Sequence, residues 1–431
     1  MNSYLNSVNY LYDLQKFGIK LGLKNILSIL KHLDNPHEHV RTVHIAGTNG
    51  KGSIAAMLSS ILIKAGYKVG LYTSPHLVSF RERIKLNEKP ISKIEVIRLV
   101  EEIKTKIDTH TSPTFFEFTT AMAMLHFAKS SVDIAILETG MGGRLDATNV
   151  VTPLVTIISN VSLEHKDYLG NTLKAITNEK AGIIKRGIEV ITAERKPNVL
   201  AVIKGCCKKN SSPLFRVGED IRKRRVNNKN NRFHYLGMDR QLFNLEVGLK
   251  GEHQVVNGVT ALGAVEILIR KGYEVPESAI YQGLKEVNWP GRLEVIGENP
   301  TVVLDGAHNP VAATCLRQAL LNEFSFHSLI LVMGIMRDKD IKGMFKRLIP
   351  IADKVILTKP AYERAADPHY LYELGAFYQK DMIINQSVDE AVKLALSMAH
   401  EHDLICITGS LYTVGEARKY LIRLKVRNRW N

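Results

Sequence analysis

A glycine-rich segment between a strand and a helix constrains the fold of this chain more than any other feature. Residues 47–53 read Gly-Thr-Asn-Gly-Lys-Gly-Ser, after an apolar strand predicted at Thr42–Ala46 and before an amphipathic helix predicted at 53–65. In that context glycines let backbone N–H groups surround phosphate oxygens, and the helix N-terminus adds partial positive charge. The segment therefore predicts a phosphate-binding loop in an α/β sheet.

The loop assigns separate roles to its side chains and its backbone. Lys51 is expected to reach the terminal phosphates of a nucleotide, and Ser53 to hold Mg²⁺. The residues predicted to bind the nucleotide here are Gly47, Thr48, Asn49, Gly50, Lys51, Gly52 and Ser53. The common pattern is altered, because Gly52 separates Lys51 from Ser53 and Ile45 replaces the leading glycine. A plain glycine-rich turn is the alternative, and the flanking strand and helix argue against it.

Short apolar strands alternate with helical patterns along most of the chain, which is typical of a parallel α/β sheet. Further strands are predicted at residues 69–72, 134–137 and 154–158. Each ends in small or polar residues, where open α/β sheets bind their ligands. The helical period then fades, and an antiparallel insertion is predicted. Its strands are predicted at 188–192, 233–236 and 242–249.

A second α/β domain is predicted after the Trp-Pro-Gly sequence at 289–291, which is interpreted as a linker. Its strands are predicted at Thr301–Leu304, Leu329–Met333, 355–358, 382–384 and Leu404–Thr408. The predicted fold class is therefore α/β, in two domains. Residues 1–290 form a P-loop-type, mostly parallel sheet domain with a small antiparallel insertion. Residues 296–431 form a smaller Rossmann-like domain.

Composition indicates a cytoplasmic protein. No run approaches the roughly 18 apolar residues of a membrane helix, and the N-terminus lacks the basic and apolar stretches of a signal peptide. The four cysteines, none with metal-ligand spacing, are read as reduced thiols. They are Cys206, Cys207, Cys315 and Cys406. A monomer that binds small molecules is expected.

The net charge of +15 is compatible with nucleic acid, acidic membranes or small polyanions as partners. The densest basic run, Arg-Lys-Arg-Arg at 222–225, precedes the Asn-rich residues 227–231 and is interpreted as a solvated hairpin loop. Aromatic residues that would stack on bases are not interleaved with it. No nucleic-acid or membrane partner is therefore expected, and a small polyanionic substrate explains the charge equally well.

Two further segments contain candidate metal ligands. Glu138 follows the predicted strand 134–137, where its carboxylate can coordinate Mg²⁺ near the phosphate loop. The glycine-rich and polar residues 140–149 suit a loop that faces a ligand. His165, after Glu164, is a second candidate, although a single histidine is more often merely hydrogen-bonded.

Three other residues have an ordinary structural interpretation as well as a possible functional one. Lys180 would by residue type alone be a solvated helix lysine. Asp305 and His308 follow a strand of the second domain and precede a helix. They could reach a ligand in an interdomain cleft, or form a well-capped turn.

In their order along the chain, these motifs resemble the Mur ligase superfamily, and within it the folylpolyglutamate synthase/dihydrofolate synthase family. The resemblance covers nearly the whole chain. It rests on residues 17–23, 47–53, 73–77, 82–84, 116–117, 138–149, 167–170, 179–182, 251–254 with Asn257, 290–292, 305–310, 338–340 and 409–410. Glu164 replaces a more usual aspartate and Met141 a more usual leucine.

The resemblance implies a role for each of these site residues. The first of two Mg²⁺ ions would be bound by Ser53, Ser74 and Glu138, and the second by Glu138 and His165. Nucleotide contacts would come from Asn257, Arg292 and Asp305, and the incoming glutamate would meet Asp305 and His308. The pterin-side and other substrate contacts would be Leu21, Ser74, Arg83, Phe116 and Asp146. Lys180 would be carbamylated, and the catalytic residues would be Lys51, Lys180, Asp305 and His308.

The reaction implied is ATP-dependent addition of glutamate to folates, and also to dihydropteroate. A folylpolyglutamate synthase without the second activity, or a related Mur-type amino-acid ligase, is an alternative. A cell-wall Mur ligase is the nearest rival, and it is disfavoured because 46 residues before Gly47 are too few for its nucleotide-sugar domain. A P-loop switch is disfavoured by the absence of an Asn-Lys-x-Asp tetrad. A non-catalytic nucleotide-binding module would have no need to retain the candidate catalytic residues together.

Overall fold

The computed structural model describes residues 3–18, 20–107, 112–226 and 231–426. The chain divides into two compact units. Unit 1 comprises Met1–His76, Phe80–Gly248 and Gln254–Val287, and unit 2 comprises Leu77–Ser79, Leu249–His253 and Asn288–Asn431. Residue 19 of the 17–23 motif and residues 227–230 of the Asn-rich segment lie outside the described residues.

Strands and helices alternate along both units. The strands are β1 (Thr42–Ala46), β2 (Val69–Tyr72), β3 (Ile84–Leu86), β4 (Lys89–Pro90), β5 (Ile134–Glu138), β6 (Val155–Ile158), β7 (Val190–Thr192), β8 (Leu214–Arg216), β9 (Arg222–Arg225), β10 (Arg232–Leu236), β11 (Gln241–Glu246), β12 (Glu294–Glu298), β13 (Thr301–Leu304), β14 (Leu329–Met333), β15 (Lys354–Leu357), β16 (Asp381–Ile384) and β17 (Leu404–Thr408). The α-helices are α1 (Tyr4–Asp13), α2 (Lys24–His32), α3 (Lys51–Lys64), α4 (Lys93–Lys106), α5 (Phe115–Lys129), α6 (Lys166–Leu169), α7 (Leu173–Ala181), α8 (Pro197–Lys209), α9 (Glu252–Arg270), α10 (Glu277–Glu286), α11 (Pro310–Glu323), α12 (Ile341–Leu348), α13 (Pro368–Gly375), α14 (Val388–Met398) and α15 (Leu411–Val426). Short 3-10 helices lie at Leu14–Phe17, Pro36–His39, Phe80–Arg83, Ala147–Val150, Ile349–Ile351 and Ala376–Tyr378.

The large sheet of unit 1 places the glycine-rich loop at its centre. Its strand order is β4-β3-β2-β5-β1-β6-β7-β8. Strand β1 pairs in parallel with β5 on one side and β6 on the other. All five residues of β1 are buried, as expected for a parallel strand covered on both faces. The loop after β1 therefore lies where the strand order reverses, which is where open α/β sheets bind their ligands.

Helix α3 differs from its prediction in both length and burial. It begins at Lys51, two residues before the predicted start, and every residue from Gly52 to Leu62 is buried. The expected amphipathic pattern is therefore wrong, because helix α10 covers the side that a surface helix would expose. The approach is close at Gly283, where a Cβ atom would lie 2.5 Å from Ile61 Cα.

We expect Gly283→Ala to lower the free energy of unfolding by about 2–3 kcal/mol, because overpacking displaces backbone that cannot yield. Gly205→Ala is the matched control, since Gly205 lies in α8 with nothing within 4 Å of the added Cβ. That change should stabilise the protein by about 0.5–1 kcal/mol through helix propensity. Thermal unfolding of both variants checks the pair, and equal melting temperatures would contradict the close α3–α10 packing.

Only part of the segment predicted as an antiparallel insertion is antiparallel. Strand β7 instead extends the large sheet and pairs in parallel with β6. Helix α8 was missed because its buried stripe is narrow, comprising Val199, Ile203 and Cys207. The antiparallel part is the three-stranded sheet β11-β10-β9. Residues 222–225 form its edge strand β9, so their interpretation as a hairpin loop is wrong; charged side chains are common on such edges.

Unit 2 contains the predicted second α/β sheet. Its order is β12-β13-β17-β14-β15-β16, with every pair parallel except β12–β13. Strand β12 was not predicted, because Glu-Val-Ile-Gly-Glu is short and charged at both ends. Helix α11 begins after Asn309, whose side chain accepts a hydrogen bond from Ala312 N. In the described part of the chain, no helix is long and apolar enough to cross a membrane.

Candidate functional site

Two glycines of the 47–53 loop have backbone conformations that other residues rarely adopt. Gly47 has φ +145° and Gly50 has φ +86°. A Cβ at Gly47 would overlap the Ser159 hydroxyl, and one at Gly50 would lie 2.5 Å from Asn257 Oδ1. The structure therefore requires glycine at both positions, and it places Asn257 directly against the loop.

The segment after β6 holds the loop from the other side. Asn160 accepts hydrogen bonds from Thr48 N through its carbonyl (2.8 Å) and from Asn49 N through Oδ1 (3.1 Å). Its Nδ2 and the Ser159 hydroxyl both donate to Asn49 O, at 2.9 and 2.7 Å. The sequence analysis missed these two residues, although a polar pair directly after an apolar strand was the available signal.

We expect Asn160→Ala to raise the KM for ATP roughly tenfold, because the loop loses side-chain hydrogen bonds worth about 1 kcal/mol each. Asn198→Ala is the control, because in the described part of the chain the Asn198 side chain accepts a hydrogen bond only from the neighbouring Val199 N. Steady-state ADP release at varied ATP concentration measures both variants. An unchanged KM in Asn160→Ala would contradict the supporting role.

Lys51 begins α3 and turns back across the loop. Its Nζ donates to Gly47 O at 3.0 Å and to Thr48 O at 3.3 Å. It also lies 3.9 Å from Glu138 Oε1. The ammonium group is therefore held at the mouth of the loop by weak neutral acceptors, which a phosphate oxygen can replace.

Glu138 connects the neighbouring strand to the loop. It is the last residue of β5 rather than the residue after it, and its Oε2 accepts from Ser74 N at 3.1 Å. Ser53 lies buried in the first turn of α3. Among the described residues, no three His, Cys, Asp or Glu side chains group around a common point. One carboxylate and the serine hydroxyls still fit the donor chemistry of Mg²⁺, which prefers oxygen, keeps several waters and binds nucleotide phosphates.

Lys180 is buried, so its interpretation as a solvated helix lysine is wrong. Its side chain is 2% exposed, and Nζ donates to Glu164 Oε1 at 2.6 Å and to Gly47 O at 2.9 Å. Burial alone would raise the pKa of Glu164, but Lys180 and Lys51 lower it to about 2. Burial lowers the pKa of Lys180, and Glu164 opposes that effect. His165, which follows Glu164 in the chain, is half-buried and has φ +47° just before α6.

A second group of predicted residues surrounds the 140–149 loop. Phe116, in the first turn of α5, packs so closely that a Cβ at Gly140 would lie 2.6 Å from its Cζ. Asp146 is buried and accepts from Met141 N at 2.9 Å and from Thr148 N at 3.0 Å. Burial raises the pKa of Asp146, and these hydrogen bonds oppose the rise. An aromatic ring and a carboxylate are thus joined to one loop.

Two other predicted substrate residues lie in unit 1. Arg83 is buried; its Nε donates to His76 Nδ1 at 2.8 Å, and its guanidinium carbon lies 5.0 Å from the centroid of the Phe115 ring. Leu21 is 43% exposed. Arg83 is therefore held rigidly by an imidazole and an aromatic face, whereas Leu21 presents an apolar side chain to solvent.

The remaining predicted residues belong to unit 2. Asp305 follows β13 and accepts from Leu293 N at 3.0 Å and from Ala307 N at 2.9 Å. Burial raises the pKa of Asp305, and the charge of Arg292 opposes the rise. His308 Nδ1 lies 2.9 Å from Gly306 O, so Nδ1 carries the donated proton. The backbone thus orients both side chains at the carboxyl end of a strand.

Known proteins resemble the chain over nearly its full length. Residues 45–265 match the Mur ligase middle domain, and residues 291–411 match the Mur ligase, glutamate ligase domain. The dihydrofolate synthase/folylpolyglutamate synthase of Bacillus subtilis is 35% identical, over 97% of this chain and 99% of that protein.

Solved structures agree with the sequence match. The folylpolyglutamate synthase of Mycobacterium tuberculosis, complexed with ADP and AMPPCP, aligns with a TM-score of 0.90 and 32% identity, over 97% of this chain and 99% of that one. The bifunctional folylpolyglutamate synthase/dihydrofolate synthase of Yersinia pestis, complexed with AMPPNP and a Mn ion, aligns with a TM-score of 0.87 and 30% identity, over 98% of each chain. The chain therefore belongs to the folylpolyglutamate synthase/dihydrofolate synthase family of the Mur ligase superfamily.

Proposed function

We propose that this protein is an ATP-dependent ligase that adds L-glutamate to folates, and also to dihydropteroate. The observation that carries the proposal is the convergence of Lys51, Glu138 and Lys180 on one glycine-rich loop in a member of this family. Relatives that bear both activity names support the two acceptors.

The reaction requires that a carboxylate be made electrophilic. A carboxylate oxygen of the acceptor attacks the γ-phosphorus of ATP, and ADP leaves with the electrons of the broken P–O bond. The amine of glutamate then attacks the acyl phosphate, loses a proton and expels phosphate, which leaves an amide. Because the attacking carboxylate and the γ-phosphate repel each other, the site must supply positive charge.

The nucleotide would be held mainly by the loop between β1 and α3. Backbone N–H groups of the loop would bind the phosphates, and Lys51 would neutralise charge on the transferring phosphoryl group. Asn257 lies against the loop and would contact the nucleotide from α9. Arg292 and Asp305 would contribute nucleotide contacts from unit 2, and residues 1–290 and 296–431 would act as the ATP-binding and ligase domains.

The proposed Mg²⁺ ligands are oxygen donors together with one imidazole. Ser53, Ser74 and Glu138 would hold a first ion, and Glu138 with His165 a second. When bound, the ions would supply positive charge that offsets the repulsion between the phosphate and the attacking carboxylate. Glu138 suits this role because its carboxylate lies 3.9 Å from the Lys51 ammonium, which would contact the nucleotide phosphates.

The acceptor would bind along the second group of residues. Phe116 would stack on the pterin ring, and Asp146 would accept hydrogen bonds from its amino and ring N–H groups. Leu21, Ser74 and Arg83 would contact the rest of the acceptor. His308 would meet the incoming glutamate.

The test is ADP release by purified protein with ATP, Mg²⁺ and glutamate over a panel of pteroate and folate acceptors. We expect release that requires both glutamate and acceptor, with dihydropteroate and tetrahydrofolate each giving a product. Failure with dihydropteroate alone would reduce the protein to a folylpolyglutamate synthase. Failure with every acceptor would overturn the folate assignment.

A further inference from the structure

A buried histidine connects the strand before the phosphate loop to Asp146, the carboxylate proposed to contact the pterin. His44 lies in β1, three residues before Gly47, and is fully buried. Its Nε2 lies 2.8 Å from the hydroxyl of Thr148, which is also fully buried. The same hydroxyl lies 2.5 Å from Asp146 Oδ1. The three polar side chains thus form a series of hydrogen bonds from β1, at the centre of the sheet, to the 140–149 loop.

The chemistry of the three groups fixes the direction of each hydrogen bond. An ionised carboxylate only accepts, so the single hydroxyl proton of Thr148 is donated to Asp146. The Thr148 oxygen must therefore accept from His44, which places the imidazole proton on Nε2. Nδ1 is then the unprotonated nitrogen, and in the described part of the chain it is buried without a hydrogen-bond partner.

The imidazole is also kept neutral. Burial, and then the positive charge of Lys185, lower the pKa of His44 to about 3. The hydrogen-bond direction is consequently the same throughout the neutral pH range. Asp146 receives the Thr148 hydroxyl in addition to the backbone N–H groups of Met141 and Thr148, so its carboxylate has one preferred orientation.

We propose that His44 is a positioning residue for the acceptor, which orients Asp146 toward the pterin through the Thr148 hydroxyl. This inference rests on the proposed function, because it takes Asp146 as the group that meets the pterin. It adds a residue that lies outside the recognised motifs. It also assigns a reason for a histidine at the centre of a fully buried strand, where an unneeded imidazole would cost stability.

The experiment compares His44→Leu, which removes the donor, with His44→Gln, whose amide can donate from a similar position. Thr148→Val removes the hydroxyl at nearly constant shape, and it remains informative should His44→Leu fail to fold. The dissociation constants of dihydropteroate and of AMPPCP are measured for each variant. KM for p-aminobenzoylglutamate, an acceptor without a pterin, is measured in parallel.

We expect His44→Leu and Thr148→Val each to weaken dihydropteroate binding about tenfold, because each removes a hydrogen bond from the series that ends on the Asp146 carboxylate. AMPPCP binding and the KM for the acceptor without a pterin should change less than twofold, and His44→Gln should restore most of the loss. Because both changes break one line of contacts, the double variant should be no worse than either single variant.

Unchanged dihydropteroate binding in both folded variants would overturn the inference, as would equal losses for dihydropteroate and AMPPCP. The proposed function fails differently, since the wild-type protein itself would then bind AMPPCP but neither dihydropteroate nor a folate.

Discussion

Replacing Lys51 with alanine is expected to lower the rate of ligation more than a hundredfold and to leave the fold intact. The loss of one preorganised electrostatic partner of a transferring phosphoryl group costs about 3–4 kcal/mol of barrier. The fold should tolerate the change, because the Lys51 ammonium contacts two neutral loop carbonyls and comes no closer than 3.9 Å to the Glu138 carboxylate. Among the described residues, removing Lys51 therefore breaks no close ion pair.

Lys64→Ala provides the control on the same helix. Lys64 is the last residue of α3 and pairs with Glu286 at the surface, where such pairs contribute about 0–1 kcal/mol. Its turnover should stay within about twofold of wild type. ADP release measures both variants, and circular dichroism verifies folding. Near wild-type turnover in Lys51→Ala would remove the phosphate-loop assignment.

The centre of unit 1 could be predicted from the sequence because its signals are local. An apolar strand, a glycine-rich turn and a helix follow one another within 23 residues, from Thr42 to Lys64. Glycines at 47 and 50 are required by backbone conformation, a property that residue type states directly. Five of the six strands of unit 2 were predicted for the same reason, since each of the five contains a short apolar run between polar turns.

The contacts around the loop could not be predicted, because they depend on which strands become neighbours. Asn160 meets Asn49 only because β6 lies beside β1 in the sheet. Lys180 reaches Gly47 O across 133 positions of sequence. Residue type favoured a solvated lysine, and tertiary packing buried it instead.

Mispredicted elements show the limits of periodicity. Helix α8 buries only Val199, Ile203 and Cys207 of its 13 residues, and its other apolar residues do not follow that stripe. Strand β9 consists entirely of basic residues, and its pairing with β10 decides its conformation. In both cases neighbouring elements, rather than the local pattern, determine the structure.

The second large effect is expected at Lys180, which we propose to be carbamylated in the active enzyme. Lys180→Ala should reduce ligation at least a hundredfold, by analogy with the loss of other charged groups in an active site. Small carboxylates such as acetate should restore part of the activity, because they can replace the missing anion. Lys180→Arg should be equally inactive, since arginine keeps the positive charge and cannot form a carbamate. Lys51→Ala should gain nothing from acetate.

Carbamylation also predicts a dependence on pH and bicarbonate. The neutral amine attacks CO₂ and releases a proton, so occupancy should rise with pH. Because burial lowers the pKa of Lys180, the neutral amine is more available than in an exposed lysine. The modification would replace the Lys180–Glu164 ion pair with two adjacent anions, so Mg²⁺ should favour it. In ¹³C-bicarbonate buffer, a ¹³C carbamate signal that appears with Mg²⁺ and is absent in Lys180→Ala would support this. Full activity in CO₂-depleted buffer would instead leave Lys180 as an ordinary cation beside Glu164.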